Sequence, residues 1–363
     1  MRHAPTRPLA LITGGAGFVA TNVAERLLQD GWRLRLFDNL SRAGVDQNVE
    51  WLKAHPAAGG RGEAVELVIG DVRDAAAVRR VVAGTSRVFH FAAQVAVTTS
   101  LDDPIGDFEI NARGTLNLLE AIRGLDEPPS LLFTSTNKVY GHLDDLRLRR
   151  QSTRYEPEDP FVAKRGVSEG RALDFHSPYG CSKGAAEQYV LDYARTFGLP
   201  AAVFRMSCIY GPHQFGTEDQ GWVAHFLIQA LTRRPLTIYG DGLQVRDVLY
   251  VEDLVDAMML AHDAIADLSG QAFNIGGGRD NTVSLLELID LIAVMLGRRP
   301  AYRLEPWRTA DQRYYVSDTS KFELATGWRP RVPVAEGVER LARWLVESGT
   351  AAASELVAGR VAS

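Results

Sequence analysis

The chain has few of the features that mark secreted, membrane or metal-binding proteins. Its 363 residues include two cysteines, Cys181 and Cys208, which excludes a disulfide framework and a cysteine-based metal cluster. No apolar run is long enough to span a membrane, and the net charge of −5 gives no general attraction to nucleic acid. We therefore expect no metal, no nucleic-acid partner and no membrane partner. Met1 to Pro5 lead almost directly into the first predicted strand, so we also expect no signal peptide and a cytoplasmic location.

The residues that are present predict a large α/β protein. Hydrophobic residues make up 46% of the chain, enough for a substantial core. Short apolar strands alternate with helices in the first half, which predicts a Rossmann-like, doubly wound parallel sheet. After about residue 200 the alternation loosens, which indicates a smaller C-terminal substrate-binding lobe. We expect a nucleotide-binding domain over 1–200, a lobe over 201–348 with strands that return to the main sheet, and a tail over 349–363.

A glycine-rich turn follows the first predicted strand, Leu9–Thr13. In Gly14-Gly15-Ala16-Gly17-Phe18-Val19-Ala20, the residues Gly15, Gly17 and Ala20 fit the dinucleotide fingerprint. Glycines let the backbone approach a pyrophosphate, and the N-terminus of the next helix offers free N–H groups. The alternative is an ordinary turn between a strand and a helix.

The acid that a dinucleotide site needs stands at the end of the second predicted strand. Asp38 lies 21 residues after Gly17. A carboxylate there accepts hydrogen bonds from the ribose hydroxyls and repels a 2′-phosphate, so NAD is favoured over NADP. The neighbouring Arg42 weakens that preference a little.

Two side chains in the middle of the chain have the spacing of an acid–base pair. Tyr179 and Lys183 lie one helical turn apart, so both leave the same face of a helix. A lysine ammonium lowers the pKa of a nearby phenol, which makes tyrosine a general base. The spacing also occurs by chance in exposed helices. Upstream, the strand over 131–133 ends in hydroxyl residues, and Thr136 there could hold a substrate alcohol against the base or simply cap the strand.

These motifs and several others resemble the extended short-chain dehydrogenase/reductases that modify nucleotide sugars, and within them the CDP-paratose 2-epimerases (CDP-tyvelose epimerases). The resemblance covers nearly the whole chain. The most specific segments are Thr-Asn-Lys-Val-Tyr-Gly at 136–141 and Asp-Phe-His-Ser-Pro-Tyr-Gly-Cys-Ser-Lys-Gly at 174–184. Further segments that match are 37–42, 94–100, 219–222 and 244–249.

The resemblance implies an NAD-dependent epimerisation in which C2 of the sugar is transiently oxidised and hydride returns to the opposite face. Tyr179 would take the proton of the sugar hydroxyl, Thr136 would hydrogen-bond its oxygen, and Lys183 would hold the nicotinamide ribose. Sugar-nucleotide 4,6-dehydratases carry an acid pair just after the threonine. Here those positions are Asn137 and Lys138, which disfavours elimination chemistry.

The resemblance also assigns binding roles along the chain. The cofactor-binding residues are Gly14, Gly17, Phe18, Val19, Asp38, Asn39, Ser41, Arg42, Asp71, Val72, Ala92, Ala93, Gln94, Asn111, Ser135, Tyr179 and Lys183. The substrate-binding residues are Thr98, Asn137, His213, Gln214, Arg246 and Arg313. Guanidinium groups suit pyrophosphate oxygens, although an arginine is more often paired with a neighbouring aspartate. The surrounding motif favours the phosphate-binding role for Arg246 more than for Arg313, and His213 is as well explained by a structural role.

Three other expectations complete the sequence-based interpretation. The favoured partner is a CDP-sugar, and the protein is expected to be a homo-oligomer, either a dimer or a tetramer. A C4 epimerase, or an epimerase of another nucleoside-diphosphate sugar, is the nearest alternative. A non-catalytic NAD-binding protein is a more distant one, because such proteins usually lose the tyrosine or the lysine, and this chain keeps both.

Overall fold

The computed structural model describes residues 7–59, 62–309 and 311–351. Within those residues the strands are β1 (Leu9–Thr13), β2 (Arg33–Asp38), β3 (Val65–Ile69), β4 (Arg87–His90), β5 (Ser130–Thr136), β6 (Leu148–Arg150), β7 (Tyr155–Pro157), β8 (Ala201–Met206), β9 (Cys208–Tyr210), β10 (Leu236–Tyr239), β11 (Val245–Tyr250), β12 (Ala272–Ile275), β13 (Thr282–Ser284), β14 (Tyr302–Glu305) and β15 (Tyr314–Tyr315).

The same described residues contain helices of very different lengths. They are α1 (Phe18–Gln29), α2 (Val45–Ala54), α3 (Ala75–Val82), α4 (Val97–Asp102), α5 (Pro104–Phe108), α6 (Gly114–Arg123), α7 (Pro160–Arg165), α8 (Ser177–Phe197), α9 (Trp222–Leu231), α10 (Val251–Asp263), α11 (Ile265–Leu268), α12 (Leu285–Leu296), α13 (Ser320–Thr326) and α14 (Val334–Glu347). No helix in this described part is long and apolar enough to cross a membrane.

The chain divides into two compact units, each built from separate segments. The first contains residues up to 139, 177–205 and 255–273, and the second contains 140–176, 206–254 and the residues from 274 onward. The sequence-based boundaries, 1–200 and 201–348, differ from these because the chain leaves the first unit after β5 and returns to it at α8. Of the expected tail over 349–363, the residues from 352 onward lie outside the described part of the chain.

The first unit is organised by a seven-stranded sheet in the order β12-β8-β5-β4-β1-β2-β3. β1 pairs in parallel with β2 and β4, β2 with β3, and β4 with β5. All five residues of β1 are buried, as expected for a strand covered on both faces. The predicted parallel α/β sheet is therefore confirmed. Its carboxyl edge gathers Thr13, Asp38 and Thr136, the last residues of β1, β2 and β5.

Apolar side chains fix the helices that carry the site in the first unit. Leu118 and Leu119 of α6 and Val190 of α8 belong to one buried cluster with Leu131 of β5 and Val203 of β8. Fully burying a side chain of this size contributes about 1.5–3 kcal/mol. Helix α8 is therefore held against β5 along its length, which places its first turns at the carboxyl end of that strand.

The second unit has its own sheet and core. Strand β11 pairs in parallel with β9 and β15 and antiparallel with β13, and β10 pairs in parallel with β14. A separate buried cluster joins α9, α12 and α14 to this sheet. Residues 145–172 contain helix α7 and the antiparallel hairpin β6–β7, which is paired over Leu148–Arg150 and Tyr155–Pro157.

Candidate active site

The glycine turn after β1 has the geometry that a dinucleotide pyrophosphate needs. Gly14 has φ +65°, and a Cβ atom there would lie 2.7 Å from the backbone nitrogen of Ala92, so this position accepts glycine alone. Gly17 precedes α1 without a side-chain cap. A Cβ on Gly17 would meet only the carbonyl oxygen of Gly14, at 3.2 Å. The first-turn N–H groups at Phe18 and Val19 are thus accessible to an anion, and the turn fits NAD.

Asp38 is oriented by backbone donors at the end of β2. Its carboxylate accepts hydrogen bonds from the backbone nitrogens of Ala16 (3.0 Å) and Leu40 (2.8 Å). Ser41 and Arg42 follow on the exposed loop. The carboxylate is fixed at the glycine turn, where an adenosine ribose would lie in the predicted binding mode.

A second acid lies at the end of β3. Asp71 accepts two hydrogen bonds from the Arg73 guanidinium, at 2.9 and 2.8 Å, and one from Asn39 at 3.2 Å. These bonds, with Arg73 the largest cause, lower the pKa of Asp71 to about 2. The group is anionic at neutral pH. Val72, beside it, is buried, whereas Asp71 and Asn39 present polar groups at this edge.

The loop after β4 is tied to a π-helical turn. Ala92 donates its N–H to the Thr13 hydroxyl at 3.2 Å. Gln94 donates its N–H to the Asn111 side chain at 2.9 Å, and Asn111 donates back to the Gln94 carbonyl at 3.0 Å. Asn111 lies in the π-helical turn Glu109–Arg113, a distortion that recurs at functional sites. This exchange sets the path of 92–94 beside the glycine turn.

The predicted acid–base residues come together in the first unit. Tyr179 and Lys183 are both buried on α8, and Thr136 is buried at the end of β5. The Thr136 hydroxyl hydrogen-bonds the Tyr179 phenol and accepts the Lys138 N–H at 3.2 Å. Ser100 accepts the backbone N–H of Tyr179 at 3.2 Å. Tyr179 is therefore held at its phenol by β5 and at its backbone by α4.

The electrostatics of the tyrosine differ from the sequence-based expectation. Burial raises the pKa of Tyr179 to about 12, and the Thr136 hydrogen bond opposes that shift only in part. Burial lowers the pKa of Lys183 to about 7, against the negative charges of Glu187 and Asp107. The Lys183 ammonium lies 4.3 Å from the centre of the Phe133 ring. The expected lowering of the Tyr179 pKa by Lys183 is thus absent in the structure, because desolvation of the phenol dominates.

Glu187 is a component of the site that the sequence reasoning missed. It is fully buried one helical turn after Lys183 and forms an ion pair with Arg205 of β8, while Ser135 donates a hydrogen bond to it at 2.6 Å. The charge of Glu187 is the largest influence that keeps Lys183 protonated. The available signal was spacing, since residues 179, 183 and 187 repeat every four positions along one helix face.

The predicted substrate residues are divided between the units. Thr98 and Asn137 belong to the first unit, and Thr136 hydrogen-bonds the Asn137 side chain at 3.4 Å. His213 and Gln214 belong to the second unit. The His213 ring is buried 5.2 Å from that of Trp344, and Gln214 donates to the Ile209 carbonyl at 3.2 Å. These contacts account for His213 by packing, and its substrate role stays a prediction.

The two predicted phosphate-binding arginines have different surroundings within the second unit. Arg246 is buried and forms an ion pair with Asp311 at 2.6 Å. Arg313 is exposed and lines a pocket of about 400 Å³. Tyr155 and Trp307 line the same pocket, and the Arg313 guanidinium lies 5.9 and 5.7 Å from their ring centres. Arg313 is therefore the better placed of the two to meet a ligand.

Known proteins resemble this chain in sequence and in fold. The profile of the NAD dependent epimerase/dehydratase family matches residues 10–276. The CDP-paratose 2-epimerase of Salmonella typhi is 45% identical over 92% of this chain and 98% of its own length. Two solved UDP-glucose 4-epimerases are also similar. The Thermotoga maritima enzyme with UDP-glucose has a TM-score of 0.77 and 28% identity, and covers 94% of this chain and 99% of its own. The Thermus thermophilus enzyme with NAD has a TM-score of 0.76 and 31% identity, and covers 93% and 98%.

Proposed function

Since the chain belongs to the NAD-dependent epimerase/dehydratase family, we propose that it is a nucleotide-sugar epimerase that inverts C2 of CDP-paratose to give CDP-tyvelose. The observation that carries this proposal is the contact of the Tyr179 phenol with the Thr136 hydroxyl, one helical turn from Lys183. Similarity to the Salmonella typhi CDP-paratose 2-epimerase supports the choice of sugar and of carbon.

The residues of the first unit can supply the proton chemistry. Tyr179 takes the proton of the sugar hydroxyl when it is oxidised and returns it when the ketone is reduced, while the Thr136 hydroxyl orients that oxygen. NAD held in this unit would supply the hydride acceptor and donor for the sugar carbon, together with the positive charge of its oxidised ring. Lys183 would hydrogen-bond the nicotinamide ribose. With the pKa of Tyr179 raised by burial, cationic groups are needed for the phenol to act as a base.

NAD has a consistent set of partners in the same unit. The glycine turn at Gly14 and Gly17 would receive the pyrophosphate, and the fixed carboxylate of Asp38 would bind the adenosine ribose. Asp71, fixed by Asn39, and Gln94, fixed by Asn111, would contact other parts of the cofactor. The acid at position 38 favours NAD over NADP.

The reaction class follows from side chains beside Thr136. Elimination of water from the sugar needs an acid and a base next to the oxidised carbon. The two residues after Thr136 are Asn137 and Lys138, and Asn137 is buried as a neutral amide. No carboxyl group stands at either position, so the proposal is epimerisation without elimination.

The second unit offers a place for the nucleotide. We infer that Arg313, in its pocket with Tyr155 and Trp307, binds the pyrophosphate of the CDP-sugar. Arg246 could bind the pyrophosphate directly only after its ion pair with Asp311 is broken. CDP-sugar preference is supported by the resemblance rather than by an identified base contact.

The proposal is tested by incubating the purified protein with CDP-paratose and following the sugar protons by NMR. Conversion to the C2 epimer is expected, and matched UDP- and GDP-sugars should react far more slowly. Inversion at C4 would indicate a C4 epimerase instead. Preference for a UDP-sugar would indicate an epimerase of another nucleoside-diphosphate sugar. Absence of any conversion with NAD bound would favour a non-catalytic NAD-binding protein.

We also propose that the protein works in the cytoplasm as a homo-oligomer, with a dimer as the minimal form. Helices α4 and α5 expose Leu101, Ile105 and Phe108, and α8, which packs against them, exposes Tyr189. The same apolar face of a second copy would cover these side chains in the expected homo-oligomer. Sedimentation of the wild type as a dimer or tetramer, and of Ile105→Glu as a monomer, is the expected result. A monomeric wild type would contradict it.

A further inference from the structure

A buried carboxyl group lies next to the helix turn that carries the acid–base pair. Asp107 is on α5, and its side chain is 1% exposed. The Ser182 hydroxyl donates a hydrogen bond to one carboxyl oxygen, and Asn111 donates to the other at 3.2 Å. In the described part of the chain both hydrogen-bond partners are neutral. Burial of a carboxyl group without an ion pair is costly, so a purely structural role explains it poorly.

The hydrogen bonds connect this carboxyl group to two parts of the site. Asn111, in the π-helical turn, also lies 3.0 Å from the Ser182 hydroxyl and exchanges hydrogen bonds with Gln94 of the cofactor loop. Ser182 stands directly before Lys183, and its hydroxyl lies 3.2 Å from the Tyr179 carbonyl oxygen. Asp107 thus joins the loop after β4 to the first turns of α8.

The charge of Asp107 acts on both ionisable groups of the pair. For Lys183, burial lowers the pKa, and the charges of Glu187 and then Asp107 oppose that shift. For Tyr179, burial raises the pKa, the Thr136 hydrogen bond opposes it, and the Asp107 charge adds to the rise. The carboxylate therefore makes both groups hold their protons more strongly.

Other charged groups around Asp107 are few. Burial raises its pKa, whereas the Ser182 hydrogen bond and the Lys183 charge lower it, and Asp103, from the loop before α5, raises it. From β4, the ring of His90 is buried and uncharged at neutral pH, because burial lowers its pKa to about 3. Among the described residues, Lys183 is the cation whose charge acts on Asp107.

We propose that Asp107 is a positioning residue for the reaction: through Ser182 and Asn111 it fixes the first turns of α8 against the cofactor loop, and its negative charge keeps Lys183 protonated. The catalytic part of this inference rests on the proposed function, but the electrostatic part does not.

The test uses NMR of Lys183, because the chain has five lysines. Protein with ¹³C-labelled lysine is titrated with NAD present, and the Lys183 Cε signal is identified by its loss in Lys183→Met. In Asp107→Asn the titration midpoint of Lys183 should fall by roughly half to one pH unit. Turnover should fall roughly tenfold, with the KM for the sugar little changed. Asp102→Asn, an exposed carboxylate on the neighbouring helix α4, should leave the midpoint where it is.

A second variant keeps the proposal testable if Asp107→Asn does not fold. Ser182→Ala removes the donor that stabilises the carboxylate, so Asp107 becomes easier to protonate and the Lys183 midpoint should fall, but by less. An unmoved midpoint in whichever of these variants folds would overturn the role of Asp107. A shifted midpoint in a protein whose wild type converts no nucleotide sugar would instead overturn the proposed function and leave the electrostatic role of Asp107 standing.

Discussion

The Thr136 hydroxyl at the end of β5 hydrogen-bonds the Tyr179 phenol on α8, and this contact opposes the rise in phenol pKa that burial causes. The two residues are brought together because α8 packs against β5 through its apolar face. The resulting pKa of about 12 means that the structure holds Tyr179 as a neutral phenol at neutral pH. Proton removal from a sugar therefore depends on added positive charge.

The purified protein is expected to contain NAD without any being added. The fixed carboxylate of Asp38 and the glycine turn, which lets the backbone approach the pyrophosphate, favour tight binding of NAD. A catalytic cycle without net redox change also requires no exchange of the cofactor. Heat denaturation followed by enzymatic assay of the supernatant measures the bound NAD and NADH. If neither is found, and added NAD fails to raise the Tm, the cofactor assignment is wrong.

Replacement of Tyr179 by phenylalanine should abolish turnover and leave NAD binding nearly intact. The ring remains, and only the oxygen that exchanges a proton is lost, so the rate should fall at least ~10²-fold. Tyr189→Phe, on an exposed face of the same helix, is the matched control and should keep normal turnover. Activity of Tyr179→Phe within a few-fold of the wild type would remove Tyr179 as the base.

Buried histidines should make the protein less stable as the pH falls below about 6.5. Burial lowers the pKa of His90 to about 3, of His262 to about 3 and of His213 to about 4. At pH values between these lowered pKa values and the ordinary pKa of histidine, the unfolded chain binds protons that the folded chain does not. Each histidine then lowers the free energy of unfolding by up to ~1.4 kcal/mol per pH unit as the pH falls.

Urea unfolding between about pH 4 and about pH 8 measures this dependence. His262→Gln should reduce the slope of the free energy of unfolding against pH by the contribution of one titrating group. Ser130→Ala removes the hydroxyl that lies 2.8 Å from the His262 ring but keeps the ring itself, so the slope should be unchanged. Equal slopes in the wild type and His262→Gln would show that His262 binds protons equally in the folded and unfolded chain, which would contradict the lowering of its pKa by burial.

Local patterns were sufficient to predict much of the first unit. The apolar run Leu9–Thr13 and the strand that ends at Asp38 have the bounds expected from the sequence, because their signals are contiguous. Tyr179 and Lys183 share a helix face for the same reason. Residues 140–176 were not assigned to the second unit, because their placement depends on contacts distant in sequence, such as the Gln312 hydrogen bond to the Gly141 carbonyl.

The partners of individual side chains were the least predictable part of the site. Asp107 belongs to no motif recognised in the sequence, and the fold brings Ser182, 75 residues later, to its carboxyl group. The pairing of Arg246 with Asp311 likewise joins residues 65 positions apart. The pKa of Tyr179 was misjudged because sequence spacing gives the neighbouring charge but not the degree of burial.

The most direct test of the account follows the hydrogen on C2 of the sugar. CDP-paratose deuterated at C2 is converted in ordinary water, and the product is examined by NMR and mass spectrometry. A hydride mechanism predicts that the deuterium stays at C2 of the epimer and slows turnover, because the same hydrogen leaves and returns. Loss of the deuterium to water during conversion would contradict the account, since it would mean that a base, and not the cofactor, removes the C2 hydrogen.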